Sequence, residues 1–188
     1  MRIIAGDYKR RVLKTTTGPG FRPAMGIVRE ALFSMLEARG VVWQATRGLD
    51  LFAGSGSLGF EALSRGAAHM AFVENGVKPA AILRENAALL GVEDDRFTLH
   101  QNEVGKVLGK RPALPVSLVF IDPPYRMDVL ARTLRALLKN GWVEDGAIIN
   151  AEIEARTPFS PEKAHENLIP LDDRAYGQTR VLLWQVKK

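Results

Sequence analysis

From residue 47 onward, short apolar runs alternate with stretches whose apolar residues recur every three or four positions. The first pattern predicts strands and the second amphipathic helices. Strands are expected at 48–52, 70–74, 96–101, 116–121 and 147–153, the fourth apolar throughout except for Ser117. Helices are expected at 57–65, 79–90, 104–108 and 128–139, the second closed by Gly91. Prolines break 157–165, and 167–171 and 179–186 read as a final antiparallel pair. Strands alternating with helices imply an α/β fold, a parallel sheet covered on both faces. Ahead of this body, 2–5 and 11–13 read as the arms of a hairpin, and the Thr-, Gly- and Pro-rich stretch 15–22 as loop. Between Pro23 and Arg39, Val28, Leu32, Met35 and Leu36 fall at helical spacing; Pro23 suits a first turn and Gly40 a stop. The chain thus divides into an extension of hairpin plus helix, 1–40, and a body, 41–188.

Charge changes this picture. The 188 residues carry a net charge of +5. Residues 1–40 hold eight basic and three acidic side chains, so the whole excess lies there and the body is neutral. A basic arm on a neutral body is how an electrostatic footprint for a phosphate backbone shows in sequence, the other reading being a solvated tail, and Lys9, Arg10, Arg11, Lys14, Arg22 and Arg29 are the candidate contacts to nucleic acid. The absence of cysteine excludes thiol nucleophiles and cysteine-held metals, and the three histidines are scattered, so no metal site is expected. No apolar run approaches a membrane span and the first residues lack the apolar core of a signal peptide, so a cytoplasmic protein is expected.

The first strand of the body leads into Gly54-Ser55-Gly56-Ser57-Leu58-Gly59, a G-x-G-x-x-G between strand and helix. Glycines there allow a sharp turn and close approach of a ligand to the backbone. Glu74 ends the next strand, 15 residues after Gly59, where a carboxylate can accept both ribose hydroxyls of an adenosine. The pattern leaves the ligand open. A dinucleotide would set its pyrophosphate over the turn. S-adenosylmethionine would set its amino-acid end there, near Asp50 and the backbone of Gly54 and Gly56.

The fourth strand decides between them. It runs into Asp122-Pro123-Pro124-Tyr125 at the strand end, where open parallel sheets bind ligands. Consecutive prolines remove N–H donors and keep carbonyls. The stretch presents chiefly acceptors, the Asp122 carboxylate and the Pro123 carbonyl, which suit an –NH₂ group. An exocyclic base amine is a poor nucleophile because its lone pair is delocalised into the ring. Two acceptors on its hydrogens free that lone pair and stabilise charge developing on nitrogen. Tyr125 offers a ring on which an extruded base can stack.

On these residues the chain resembles the RsmD family, bacterial small-subunit ribosomal RNA guanine-N2 methyltransferases, over nearly its whole length. The resemblance lies in Arg2-Ile3-Ile4-Ala5-Gly6 with Arg11, in Arg22-Pro23 with Val28-Arg29-Glu30-Ala31-Leu32-Phe33, and in Leu49–Gly56 with Glu61–Gly66. It continues in Asp122–Tyr125 and in Tyr176-Gly177-x-Thr179. It implies the class I S-adenosylmethionine-dependent methyltransferase fold, a Rossmann-like seven-stranded sheet, with an N-terminal extension that helps bind RNA. It places the cofactor on Asp50, Gly54, Gly56 and Glu74, with Asn102 at the adenine, and catalysis on Asp122, Pro123 and Tyr125. The implied partner is ribosomal RNA or a small-subunit assembly particle. After Arg22-Pro23 the family has a hydroxyl and charged residues; here Ala24, Met25, Gly26 and Ile27 stand instead.

Three other readings compete. A related amino methyltransferase would act on adenine N6, cytosine N4 or a protein glutamine; DNA enzymes of that type commonly carry a recognition domain for which 188 residues leave no room. A nicotinamide oxidoreductase would need a hydride site that Asp122–Tyr125 does not supply. A non-catalytic RNA-binding protein would have no use for Asp122 and Glu74.

Overall fold

The computed structural model of the chain describes residues 1–15, 24–123 and 127–188, with backbone alone at 24, 25, 127 and 128. The expected 15–22 loop, apart from its first residue, lies outside the described residues, as do Arg22, Tyr125 and Arg126.

Seven strands form one sheet: β1 (Arg47–Leu51), β2 (His69–Val73), β3 (Phe97–His100), β4 (Val116–Ile121), β5 (Val143–Glu154), β6 (Leu168–Tyr176) and β7 (Thr179–Val186). Their order is β3-β2-β1-β4-β5-β7-β6. The first five are parallel, and β7 runs antiparallel between β5 and β6. The helices are α1 (Ala24–Ala38), α2 (Ser57–Ser64), α3 (Val77–Leu90), α4 (Val104–Leu108) and α5 (Met127–Lys139).

Period-2 alternation sorts the strand side chains onto two faces. Met70, Phe72, Leu118 and Phe120 pack with Leu32, Phe33, Leu63 and Leu83 of α1, α2 and α3. Leu49, Leu51, Val119 and Ile121 pack with Val107, Leu108, Leu130 and Leu134 of α4 and α5. Strand order reverses between β1 and β4, so the crevice of the fold opens beyond the C-terminal ends of those two strands. No helix among the described residues is long and apolar enough to cross a membrane.

The extension is not a free tail. Its hairpin is reduced to one antiparallel bridge, Arg2 with Val12, closed by Ile3 N–H to the Arg11 carbonyl at 3.0 Å and Leu13 N–H to the Met1 carbonyl at 2.7 Å. Several of the segment's other backbone groups bond to α2. Ile4 and Ala5 N–H donate to Glu61 at 2.8 and 3.1 Å, and Asp7 N–H donates to the Ser64 carbonyl at 2.7 Å. Gly6, at φ +81, lies so close that a Cβ would overlap the Ser64 carbonyl. Ile3 and Leu13 enter the same core as α1 and α2.

Candidate active site

The turn after β1 is built under strain. Phe52 takes φ +59, unusual for a bulky residue, and Gly54 and Gly56 take φ +57 and +80. Only glycine occupies the Gly56 position without cost, since a Cβ there would collide with Leu83 and Phe60. At Gly59 a Cβ would meet the Phe72 ring at 2.3 Å, so this glycine lets α2 lie against β2. Glu74 locks the turn from β2: one carboxylate oxygen accepts Gly54 N–H at 2.9 Å and the other Gly76 N–H at 2.7 Å.

A cavity of about 740 Å³ opens beside this turn, beyond the C-terminal ends of β2 and β4 and against α4 and α5. Its wall brings together Glu74, Asn102, Asp122 and Pro123 of the sequence-derived set, with Phe52 beside them. The arrangement is polar at Glu74 and Asn102 and apolar at Val73, Val104 and Leu108. Asn102 uses its Oδ1 on Glu103 N–H at 2.9 Å, which orients its amide.

Asp50 has a different place. It is 3% exposed beneath the turn, where its Oδ2 accepts Gly59 N–H at 3.0 Å. Burial pushes its carboxyl well up, opposed by that hydrogen bond and reinforced by the negative charges of Asp122 and Glu74. It fixes the start of α2 and is not among the described residues of the cavity wall.

Asp122 follows β4, its N–H 3.5 Å from the Leu51 carbonyl. It is open to solvent on the cleft side, while protein packed around the rest of the group desolvates the carboxyl and pushes it up to about 6. Pro123 is buried. Glu152, one position past the Ile121–Ala151 register pair on β5, stands level with Asp122. Burial, then the charges of Asp122 and Asp50, push Glu152 up to about 8, with Arg29 opposing. Sequence reasoning passed over both Phe52 and Glu152. A bulky residue before a glycine turn carries no signal of positive φ. A glutamate at a strand end reads as a solvated charge until the register is known.

The basic arm divides. Lys9, Arg10, Arg11 and Lys14 are exposed on one short segment. Lys14 pairs with Glu85 at 2.9 Å, an exposed contact worth little. Arg29 departs from the RNA-facing expectation. It is 5% exposed inside the fold, where its Nη2 donates to the Arg2 carbonyl at 2.6 Å and its Nε lies 3.9 Å from buried Glu61. Its guanidinium ties the extension to α1 and is not offered to a phosphate. No group of three or more His, Cys, Asp or Glu among the described residues is placed to hold a metal ion.

Comparison with known proteins places this geometry. The family described as conserved hypothetical protein 95 matches residues 1–185. The ribosomal RNA small subunit methyltransferase D of Escherichia coli K12 is 36% identical over 185 residues, 98% of this chain and 89% of the relative. That of Haemophilus influenzae is 31% identical over 186 residues, 98% and 93% of the two chains. A solved Escherichia coli structure, described as a candidate methyltransferase, superposes with a TM-score of 0.85 at 34% identity, over 100% of this chain and 98% of the other. The fold is that of the class I S-adenosylmethionine-dependent methyltransferases. The chain belongs to the family described as conserved hypothetical protein 95, the RsmD family that its sequence motifs resemble.

Proposed function

We propose that this protein transfers the methyl group of S-adenosylmethionine to the exocyclic N2 amine of a guanine in small-subunit ribosomal RNA, free or in an assembly particle, in the cytoplasm. One observation carries the reading: the acceptor-only end of β4, Asp122 and Pro123, shares a cavity wall with Glu74. The names of the relatives support ribosomal RNA as substrate.

The residues present fit the cofactor. A cavity of about 740 Å³ is of the size that holds such a ligand. Each Glu74 oxygen accepts one backbone N–H and keeps a lone pair for a ribose hydroxyl. Val73, Val104 and Leu108 offer an apolar wall to the adenine, and Asn102 offers an amide to its edge. When bound, S-adenosylmethionine supplies an electrophilic sulfonium methyl. The chain does the rest. Asp122 and the Pro123 carbonyl take the two amine hydrogens, hold the nitrogen toward tetrahedral geometry and stabilise the positive charge that grows on it. With its carboxyl at about 6, Asp122 is ionised at neutral pH and poised to take the proton the amine sheds. Tyr125 is the proposed stacking partner for the base. Lys9, Arg10, Arg11 and Lys14 supply sequence-independent attraction for the phosphate backbone.

The test is single-turnover methyl transfer to small-subunit RNA from cells lacking the protein, with nucleoside analysis of the product. N2-methylguanosine is expected, and Asp122→Ala should lower the rate by about 10²–10³ with cofactor affinity kept. Label on adenine N6 or cytosine N4, no transfer to the RNA at all, or a variant rate within a few-fold of the parent, would overturn the reading.

A further inference from the structure

A second cavity, of about 540 Å³, lies toward the N-terminal ends of the strands, on the sheet face that carries α4 and α5. The two cavities flank α4 and share only Asn102 among the described residues. Four described wall residues are cations, Arg47, Lys106, Lys110 and Arg111, and none is a carboxylate. Lys106, Lys110 and Arg111 are close along the chain, and folding brings Arg47 of β1 to the same wall.

Arg47 opens β1, and its buried Nε finds no hydrogen-bond partner among the described residues. A buried donor without a partner calls for an acceptor. His69 and His100 stand on the same wall. Burial, then Arg47, holds the His69 imidazole below its ordinary range; His100 adds to the effect and Asp95 opposes it. Burial, then Lys110, does so at His100. The cations stand on a fixed frame. Trp142 Nε1 donates to the Lys110 carbonyl at 2.8 Å, and Asn140 donates to the Leu108 carbonyl at 2.7 Å. Lys106 is engaged with Glu103 at 3.0 Å, which leaves Arg47, Lys110 and Arg111 as the working set.

We infer that this pocket is an anion site that takes a phosphate group, bound by Arg47, Lys110 and Arg111. Guanidinium forks match phosphate oxygens two at a time, and an ammonium adds a point charge. The phosphate comes either from a free pyrophosphate-type ligand or from the backbone of bound RNA. Only the second source rests on the proposed function.

The test uses the full chain and involves no methyl transfer. Sodium pyrophosphate, at ionic strength held constant with sodium chloride, should raise Tm saturably. Lys110→Gln with Arg111→Gln, both on exposed positions, should weaken that response by about tenfold or more. Arg47→Gln should do the same; should it not fold, the exposed pair carries the test. The second arm measures binding of a short single-stranded RNA against salt. If RNA supplies the phosphate, the double variant loses about 0.7 from the slope of log K against log salt for each contact removed, and pyrophosphate competes with the RNA. If the ligand is free, pyrophosphate binds and the slope stays. Identical behaviour of parent and double variant toward both probes overturns the site.

Discussion

Glu61 offers the sharpest test of how the extension is held. Its side chain is fully buried, yet it accepts two backbone N–H groups of the extension, from Ile4 and Ala5, and the Arg65 Nε at 3.0 Å. Buried Arg29 lies 3.9 Å away. Glu61→Ala strands two backbone donors and leaves Arg29 without its near countercharge. Hydrogen bonds to a charged group contribute about 1.5–3 kcal/mol each, but they are not additive. Breaking a buried pair from one side costs about 3–5 kcal/mol, and that is the expected loss. For a chain of this size each kcal/mol moves Tm by about 2–4 °C, so a fall of roughly 6–20 °C is expected. Glu61→Gln keeps the shape and one acceptor and should lose about half as much. Circular dichroism melts give the magnitude. Native-state hydrogen exchange gives the place: Ile4, Ala5, Asp7 and Tyr8 should lose protection before the strands do. A fall under about 3 °C in Glu61→Ala, with those amides still protected, would refute the reasoning.

Three further outcomes follow. The single-turnover rate should rise with pH through about 6 as Asp122 ionises and then level, while Asp122→Asn should be slower and show no such limb; a parent profile flat from pH 5 to 8 on the order of experimental error contradicts the role. Glu152 binds its proton more tightly folded, near 8, than its ordinary 4.5, so unfolding releases protons in that window and stability falls as pH rises through it. Glu152→Gln should therefore flatten the Tm-against-pH curve between those values, and an unchanged slope would show that Glu152 ionises freely. Glu74→Ala should weaken binding of the demethylated cofactor by about 1–3 kcal/mol by titration calorimetry, through the lost ribose contact and the loosened Gly54 N–H; unchanged affinity removes Glu74 from the site.

The centre of the body was legible because β1, β2 and β4 are buried on both faces, so apolar runs mark them without regard to phase. β4 is the clearest case, and its predicted bounds match. Its neighbour is longer than predicted: β5 begins at Val143, ahead of the expected start at 147, and takes in Glu144, Asp145 and Gly146. They fall where the β4–β5 register shifts between Val116 and Leu118, an irregularity that sequence does not carry. β6 runs on to Tyr176 through Asp172, Asp173 and Arg174, since an edge strand with one partner tolerates charge. Glu74 and Asp122 were expected at strand ends, and the structure sets both on one cavity wall. Asp50 lies beneath the turn as a buried acceptor for Gly59 N–H, a supporting place that its position in the sequence does not distinguish from a ligand contact. Arg29, expected at the RNA, lies inside the fold beside Glu61. Each is a charged residue on an amphipathic helix, and only the long-range contacts among extension, α1 and α2 show why it is inside.

Those contacts bear on how the two halves of the chain work together. Asn86, fully buried on α3, accepts Lys14 N–H at 2.8 Å and donates at 3.0 Å to both the Lys14 and Ser55 carbonyls. One amide therefore fixes where the arm leaves the core and where the glycine turn lies. Helix α2 makes the same link from its two ends. Its first turn is set by Asp50 through Gly59, and its last turn carries Glu61 and Ser64, which hold residues 4–8. The arm and the glycine turn are thus joined through buried, hydrogen-bonded groups of α2 and α3. The division between a basic arm and a neutral body describes the charge of the chain; mechanically the arm is one wall of the frame that holds the glycine turn in place.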